Sequence, residues 1–271
     1  MMDTSSYFMF SGAVLHYSVR GRGGKAMLSF HGYGQSNECF KKLDEELSEN
    51  YTIYSFDLFY HGQSFWHKKD EPMSKHFLRE MILSFLNEKN IGRFSVLGFS
   101  MGGKFALGVL EAFSERVEEV ILIAPDGVRR NPWYVLATSY RLPRKLLRRI
   151  VLRPGLYLGM AKFFSGAGFL NNRVTKFSNS QMATVKQRRR VYFSWVVFRL
   201  LCYDVRALAS LINKHEIKVT FFLGKYDKII TISHLKRFLK YIKSSEVYVL
   251  QAGHSNLINA VADFYRKRNE K

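Results

Sequence analysis

Phe94-Ser95-Val96-Leu97-Gly98-Phe99-Ser100-Met101-Gly102-Gly103 is the stretch that decides how this chain is read. A short apolar run, Phe94–Leu97, reads as a buried strand. It leads into Gly98-x-Ser100-x-Gly102, and a helical pattern follows to about Phe113. A serine between a strand and a helix, with glycine on both sides at i±2, fits a turn too tight for side chains. The strand and helix backbones close on each other there, and the serine oxygen is left exposed. Gly103 adds room, and the helix N-terminus favours negative charge developing beside the serine. The string alone is common; its strand–turn–helix setting is what makes Ser100 a candidate nucleophile.

The flanking sequence repeats the same strand–helix alternation. Tyr7–Phe10 and Ala13–Arg20 read as a hairpin around Ser11-Gly12. Ala26–Phe30, Tyr51–Phe56, Val120–Ala124, Lys218–Leu223 and Glu246–Leu250 are further strands. Helices are expected over Cys39–Asn50, Lys75–Lys89, Ser233–Ile242 and Asn256 to about Arg268. Short, continuously apolar strands alternating with helices indicate a parallel sheet covered on both faces, an α/β fold.

A serine hydroxyl needs a base to take its proton. His254, in Gln251-Ala252-Gly253-His254 after the last strand, is the best placed of the eight histidines. The base in turn needs an acid to hold its tautomer. Asp227, in Gly224-Lys225-Tyr226-Asp227, is favoured by the chain order nucleophile, acid, histidine. Asp126, in Ala124-Pro125-Asp126-Gly127, is its rival, because both follow strands whose carboxyl ends face one crevice. Asp57 also ends a strand, in a loop that reads as structural. Two backbone N–H groups would complete an oxyanion hole. Met101 follows the serine, and Tyr33 lies in the glycine-rich loop His31-Gly32-Tyr33-Gly34 after an early strand.

Together these segments resemble the α/β-hydrolase superfamily, in its branch with a helical lid. The resemblance is carried by Ser29-Phe30-His31-Gly32-Tyr33-Gly34-Gln35-Ser36, Asp57-Leu58-Phe59-Tyr60-His61-Gly62-Gln63-Ser64, Gly98–Gly103, Gly224–Asp227 and Gly253-His254. It spans nearly the whole chain. Tyr60 stands where the family's D-x-x-G-H-G-x-S loop usually has glycine. The resemblance implies a mostly parallel eight-stranded sheet with a helical lid inserted after strand 6. It also implies a Ser-His-Asp acyl hydrolase that needs no cofactor or metal. The branch with an Asp nucleophile is excluded, since position 100 is Ser.

Charge divides the chain in the same way. The 271 residues hold 42 Lys+Arg and 22 Asp+Glu, a net +20. The segment 129–215 holds 18 Lys+Arg and one acidic residue, Asp204, so +17 of the excess lies there and +3 in the rest. The expected organisation is a core of 1–128 and 216–271 with a basic helical lid at 129–215. Within the lid, Leu142, Leu146, Leu147, Ile150 and Val151 are expected on one helix face, opposite Arg144, Lys145, Arg148 and Arg149, with Pro154-Gly155 as the stop. Lys186–Leu211 reads as a longer helix.

Three readings of the lid stand open. It attracts an anionic substrate or an acidic carrier of acyl chains. It rests on an anionic membrane, with Trp133, Phe163, Phe164, Phe193 and Trp195 near the contact. Or it is a solvated face. Nucleic acid is disfavoured because no recognised module is present, with Lys186–Arg190 the place to test it.

Two separated cysteines, Cys39 and Cys202, argue against a disulfide framework, and no signal peptide or spanning run is evident. A cytoplasmic protein, peripheral at a membrane on the second lid reading, is therefore expected. Its substrate is expected to be a small-molecule ester, thioester or other acyl compound. A carbon–carbon bond hydrolase or lyase acting on an anionic substrate is the alternative chemistry. A silent hydrolase fold that binds membranes or acidic partners is the non-enzymatic one.

Overall fold

The computed structural model describes residues 4–128, 132–153, 155 and 184–270. It divides into two compact units. The first comprises Met1–His67, Ser74–Arg129 and Leu201–Lys271; the second comprises Lys68–Met73 and Arg130–Leu200.

The first unit is built on one eight-stranded sheet: β1 (Thr4–Phe10), β2 (Ala13–Arg20), β3 (Lys25–Phe30), β4 (Tyr51–Phe56), β5 (Phe94–Phe99), β6 (Val117–Ile123), β7 (Lys218–Gly224) and β8 (Glu246–Leu250). The spatial order is β1-β2-β4-β3-β5-β6-β7-β8. β1 and β2 join antiparallel, as does β2 with β4, and every later pairing is parallel. The hairpin starts earlier than its apolar residues suggest, because the ladder runs on to Thr4 opposite Val19. All six residues of β5 are buried, as a central strand covered on both faces requires.

The helices of this unit are α1 (Lys41–Leu47), α2 (Lys75–Glu88) and α3 (Gly102–Phe113), followed by α7 (Val205–Lys214), α8 (Ile232–Leu239) and α9 (Leu257–Asn269). α2 starts where Ser74 Oγ accepts the Phe77 N–H at 3.0 Å. It buries Leu78, Met81, Ile82, Phe85 and Leu86, a face repeating every three to four residues. The helix expected over Cys39–Asn50 begins instead as a 3₁₀ turn, Asn37–Phe40, before α1.

The second unit holds α4 (Pro132–Ser139), α5 (Arg141–Leu152) and α6 (Val185–Val197), followed by the 3₁₀ turn Phe198–Leu200. α6 opens with a reciprocal cap: Thr184 Oγ1 accepts the Gln187 N–H at 3.1 Å, and Gln187 Oε1 accepts the Thr184 N–H at 2.9 Å. Among its described residues, Tyr192, Val196 and Val151 form a small core, with Leu147 and Phe193 packed against them. Asp70 lies among cations: its carboxylate accepts from the Tyr192 hydroxyl at 3.2 Å and is 3.9 Å from an Arg148 nitrogen.

Two sequence expectations change here. The helix expected over Lys186–Leu211 is two helices. α6 ends at Val197, and α7 starts afresh where Asp204 Oδ1 accepts the Arg206 N–H at 2.8 Å. The boundary expected at 129–215 moves accordingly. Residues 201–215 belong with the sheet, because α7 buries Val205, Leu208, Ala209 and Ile212 in the first unit. Lys68–Met73 joins the second, where the Met73 N–H bonds to the Val197 carbonyl at 2.9 Å. Phe163, Phe164 and Pro154 lie outside the described residues.

Candidate active site

Ser100 occupies the two-residue turn between β5 and α3 at φ +50°, a left-handed conformation that disfavours any side chain. The surrounding hydrogen bonds hold it there. Its N–H bonds to the Ile123 carbonyl at 2.9 Å, and its carbonyl accepts from Gly103 at 2.9 Å and Asp126 at 2.8 Å. The turn admits no side chain at Gly102, where a Cβ would stand 1.9 Å from the Phe30 carbonyl oxygen.

His254 begins the 3₁₀ turn His254–Asn256 just after β8. Its Nε2 is 2.9 Å from Ser100 Oγ, and its Nδ1 is 2.6 Å from Asp227 Oδ2. Nδ1 facing a carboxylate carries the proton, so Nε2 is the lone-pair nitrogen that accepts from the serine hydroxyl. The Phe99 ring lies 5.1 Å from the imidazole, centroid to centroid, and limits its rotation.

Asp227 follows β7. Burial alone would raise its pKa. The His254 hydrogen bond and the Ile230 and Ile229 amides outweigh that and hold the carboxyl below the usual range, so it is ionised. Those amides reach Oδ1 at 3.0 and 2.7 Å, leaving Oδ2 for the imidazole. The Asp227 and His254 loops are tied together: Lys225 N–H bonds to the Leu250 carbonyl at 2.8 Å and Tyr226 N–H to the Ala252 carbonyl at 3.1 Å.

The rival carboxylate is engaged elsewhere. Asp126 accepts the Gly127 N–H at 2.7 Å and is 3.2 Å from Lys104 Nζ. Lys104, in the first turn of α3, is a partner that the chain order of motifs did not signal.

Met101 follows Ser100 directly and caps α3. Tyr33 lies just beyond β3, and the register Phe30↔Gly98 brings the loops after β3 and β5 out of the sheet at the same level. The His31 side chain braces this loop, a role sequence reasoning missed. Its Nδ1 is 2.7 Å from the Gly32 carbonyl, and its Nε2 accepts the Leu58 N–H at 3.0 Å. The signal was a histidine directly before glycine at a strand end, but one ring bonding two loops is visible only after folding.

Asp57 serves the structural role its loop suggested. Oδ1 accepts the Asn37 N–H at 2.7 Å and Oδ2 the Gln63 N–H at 2.8 Å. It also holds His16 Nδ1 at 2.7 Å, and His16 Nε2 lies 2.6 Å from Ser5 Oγ. This second Ser-His-Asp chain differs where it matters. Ser5 sits in the extended edge strand β1, paired with Ser18, and not on a turn leading into a helix. Tyr60, in the same loop as Asp57, has φ +67°, which explains why glycine is usual there.

Among the described residues, no group of three or more His, Cys, Asp or Glu is placed to hold a metal ion. No described helix is long and apolar enough to cross a membrane.

The fold defines the class. Residues 25–261 match the model of the alpha/beta hydrolase fold family, and the chain belongs to that family. It is 28% identical over 123 residues to a pimeloyl-[acyl-carrier protein] methyl ester esterase of Nitrosomonas europaea, covering 45% of this chain and 46% of that one. It is 24% identical over 262 residues to a 2-hydroxy-6-oxo-6-(2'-aminophenyl)hexa-2,4-dienoic acid hydrolase of Metapseudomonas resinovorans, covering 93% and 85%. A match to a Mycoplasma pneumoniae protein named as an esterase/lipase spans only 35% of each chain. Among solved structures, the enol-lactonase of Burkholderia xenovorans LB400 superposes with TM-score 0.67 at 17% identity over 98% of both chains.

Proposed function

We propose that the protein is a serine hydrolase of carboxylic esters or thioesters, with Ser100 as nucleophile, His254 as base and Asp227 as the acid that orients it. The observation that carries this reading is the unbroken Asp227–His254–Ser100 hydrogen-bond chain, ending on a serine held at positive φ. His254 Nε2 takes the Ser100 proton as Oγ attacks the acyl carbonyl carbon. The oxyanion accepts from the N–H groups of Tyr33 and Met101. The alcohol or thiol leaves with the proton held by His254, giving acyl-Ser100. Water then gives a proton to His254 and its hydroxide to the acyl carbon, and the serine is restored as the acid departs. Asp227 stabilises the imidazolium in both halves.

The helices of the second unit, the lid of this reading, serve an acyl substrate presented by an anionic surface or carrier. A second reading is supported by the relative aligned over 93% of this chain, a hydrolase of a keto dienoic acid. On that reading the same three residues cleave a carbon–carbon bond in an anionic substrate.

The test is a fluorophosphonate probe followed by a substrate panel. Labelling at Ser100 that disappears in Ser100→Ala supports the nucleophile, and labelling that persists in Ser100→Ala rejects it. Turnover of simple esters and thioesters, set against that of vinylogous diketone acids, separates the two chemistries.

A further inference from the structure

Helix α5 presents two apolar edges, and among the described residues the second unit packs on one of them. Leu147 and Val151 pack on Tyr192, Phe193 and Val196 of α6. The apolar residues are expected on one face, but at 100° per residue Leu142 lies opposite Val151, and Leu142 is 78% exposed and Leu146 58%. They stand one turn apart on the side away from Val151. At 100° per residue Lys145 and Arg149 share that outward side, Arg153 follows at the end of the helix, and all three are exposed. On α4, Trp133 and Leu136 are also exposed and share a face opposite the buried Thr138, and Tyr140, which caps α5, is exposed as well. No Asp or Glu occurs anywhere between 129 and 203.

We infer that this outward face of α5, with the exposed residues of α4, is a docking surface for an anionic lipid bilayer. The inference rests on the acyl-hydrolase reading only for its purpose, bringing the enzyme to lipid-borne esters. Leu142 and Leu146 enter the acyl boundary, while Lys145, Arg149 and Arg153 lie along them with their charged heads at lipid phosphates. Charge complementarity selects an anionic surface. The paired leucines select one that has a fluid apolar layer within a side chain's reach. Trp133 and Tyr140 suit the level of the headgroups. With only twelve residues and many charges, α5 lies in the interface and does not span it.

The test uses full-length protein and co-sedimentation with vesicles. Wild type and Ser100→Ala are expected to partition onto phosphatidylcholine vesicles containing phosphatidylglycerol, weakly onto pure phosphatidylcholine, and less at high salt. The Leu142→Asp, Leu146→Asp double variant is expected to lose at least roughly ten-fold in partitioning. It should keep wild-type thermal unfolding and turnover of a soluble short-chain ester. A Lys145→Glu, Arg149→Glu variant is expected to lose the preference for phosphatidylglycerol. The inference is overturned if wild type stays in the supernatant. It is equally overturned if the double-leucine variant binds like wild type, since the patch would then be a charge surface for an acidic protein or nucleic acid. Because Ser100→Ala serves as ligand-binding protein, vesicle binding is read without turnover. A protein that binds vesicles but takes no fluorophosphonate keeps this inference and loses the hydrolase reading.

Discussion

Replacing Asp227 by asparagine keeps the volume of the side chain and changes what His254 faces. The Asp227 side chain is fully buried, and its Oδ2 lies 2.6 Å from His254 Nδ1. The Ile229 and Ile230 amides fix Oδ1 as the acceptor, so the asparagine amide can only turn its NH₂ toward the imidazole. Two donors cannot share that hydrogen bond. The ring answers by moving its proton to Nε2, which then donates to Ser100 Oγ and cannot take the serine proton. The expected loss in kcat is about 10⁴-fold, or about 5.4 kcal/mol of transition-state stabilisation. Steady-state turnover of a chromogenic ester and the rate of fluorophosphonate labelling should fall together. The same variant tests a linkage. The native Asp227 pKa is depressed, so the ionised carboxylate contributes stability above its unfolded value near 3.9 and loses it as pH falls through the lower folded value. Wild type should therefore exceed Asp227→Asn by a constant margin, about 1–3 kcal/mol, at neutral pH. That margin should shrink only in acid, in denaturant titrations run from pH 7 downward. A variant with more than about a tenth of wild-type turnover would refute the reasoning by making Asp227 dispensable to the imidazole, and an equal loss in Asp126→Asn would refute it by making Asp227 no more important than its rival.

Three further outcomes follow from the geometry. Asp126→Asn, which removes a carboxylate from Lys104 and leaves His254 untouched, should change turnover by less than about ten-fold in the same ester assay. Ser100→Gly should be inactive yet more stable than Ser100→Ala by about 0.5–1 kcal/mol in urea unfolding, because φ +50° is strained only for residues with a side chain. If alanine proves the more stable of the two, the turn carries no strain. Gly102→Ala should cost more than about 2 kcal/mol or prevent folding, since its methyl would meet the Phe30 backbone oxygen at 1.9 Å. An unchanged melting temperature would show that β3 and α3 can separate there.

Much of the sheet was legible because its signals are local. Glu246–Leu250 and Tyr51–Phe56 were readable to the residue: each is a short apolar or alternating run with turn residues on both sides. The Ser100 turn was legible for a related reason. Glycine at 98 and 102 reports a steric exclusion, and here that exclusion comes from the neighbouring strand and helix.

What the sequence by itself determined was therefore the alternation of elements, the serine turn and the set of residue types available for the chemistry. Tertiary structure decided the partnerships. Asp126 and Asp227 both end strands and look alike in sequence; Lys104 on α3 and the loop contacts between β7 and β8 send them to different partners. The spacing over Lys186–Leu211 reads as one helix, but the chain leaves α6 at Val197 through a 3₁₀ turn, and a new cap at Asp204 starts α7 on the sheet unit. The apolar residues of α5 occupy two sides of the helix, and among the described residues packing against α6 covers Leu147 and Val151 while Leu142 and Leu146 stay exposed. Periodicity records which residues can share a face. Whether a face is covered depends on elements far away in the chain, so that part of the protein is settled only when the chain folds.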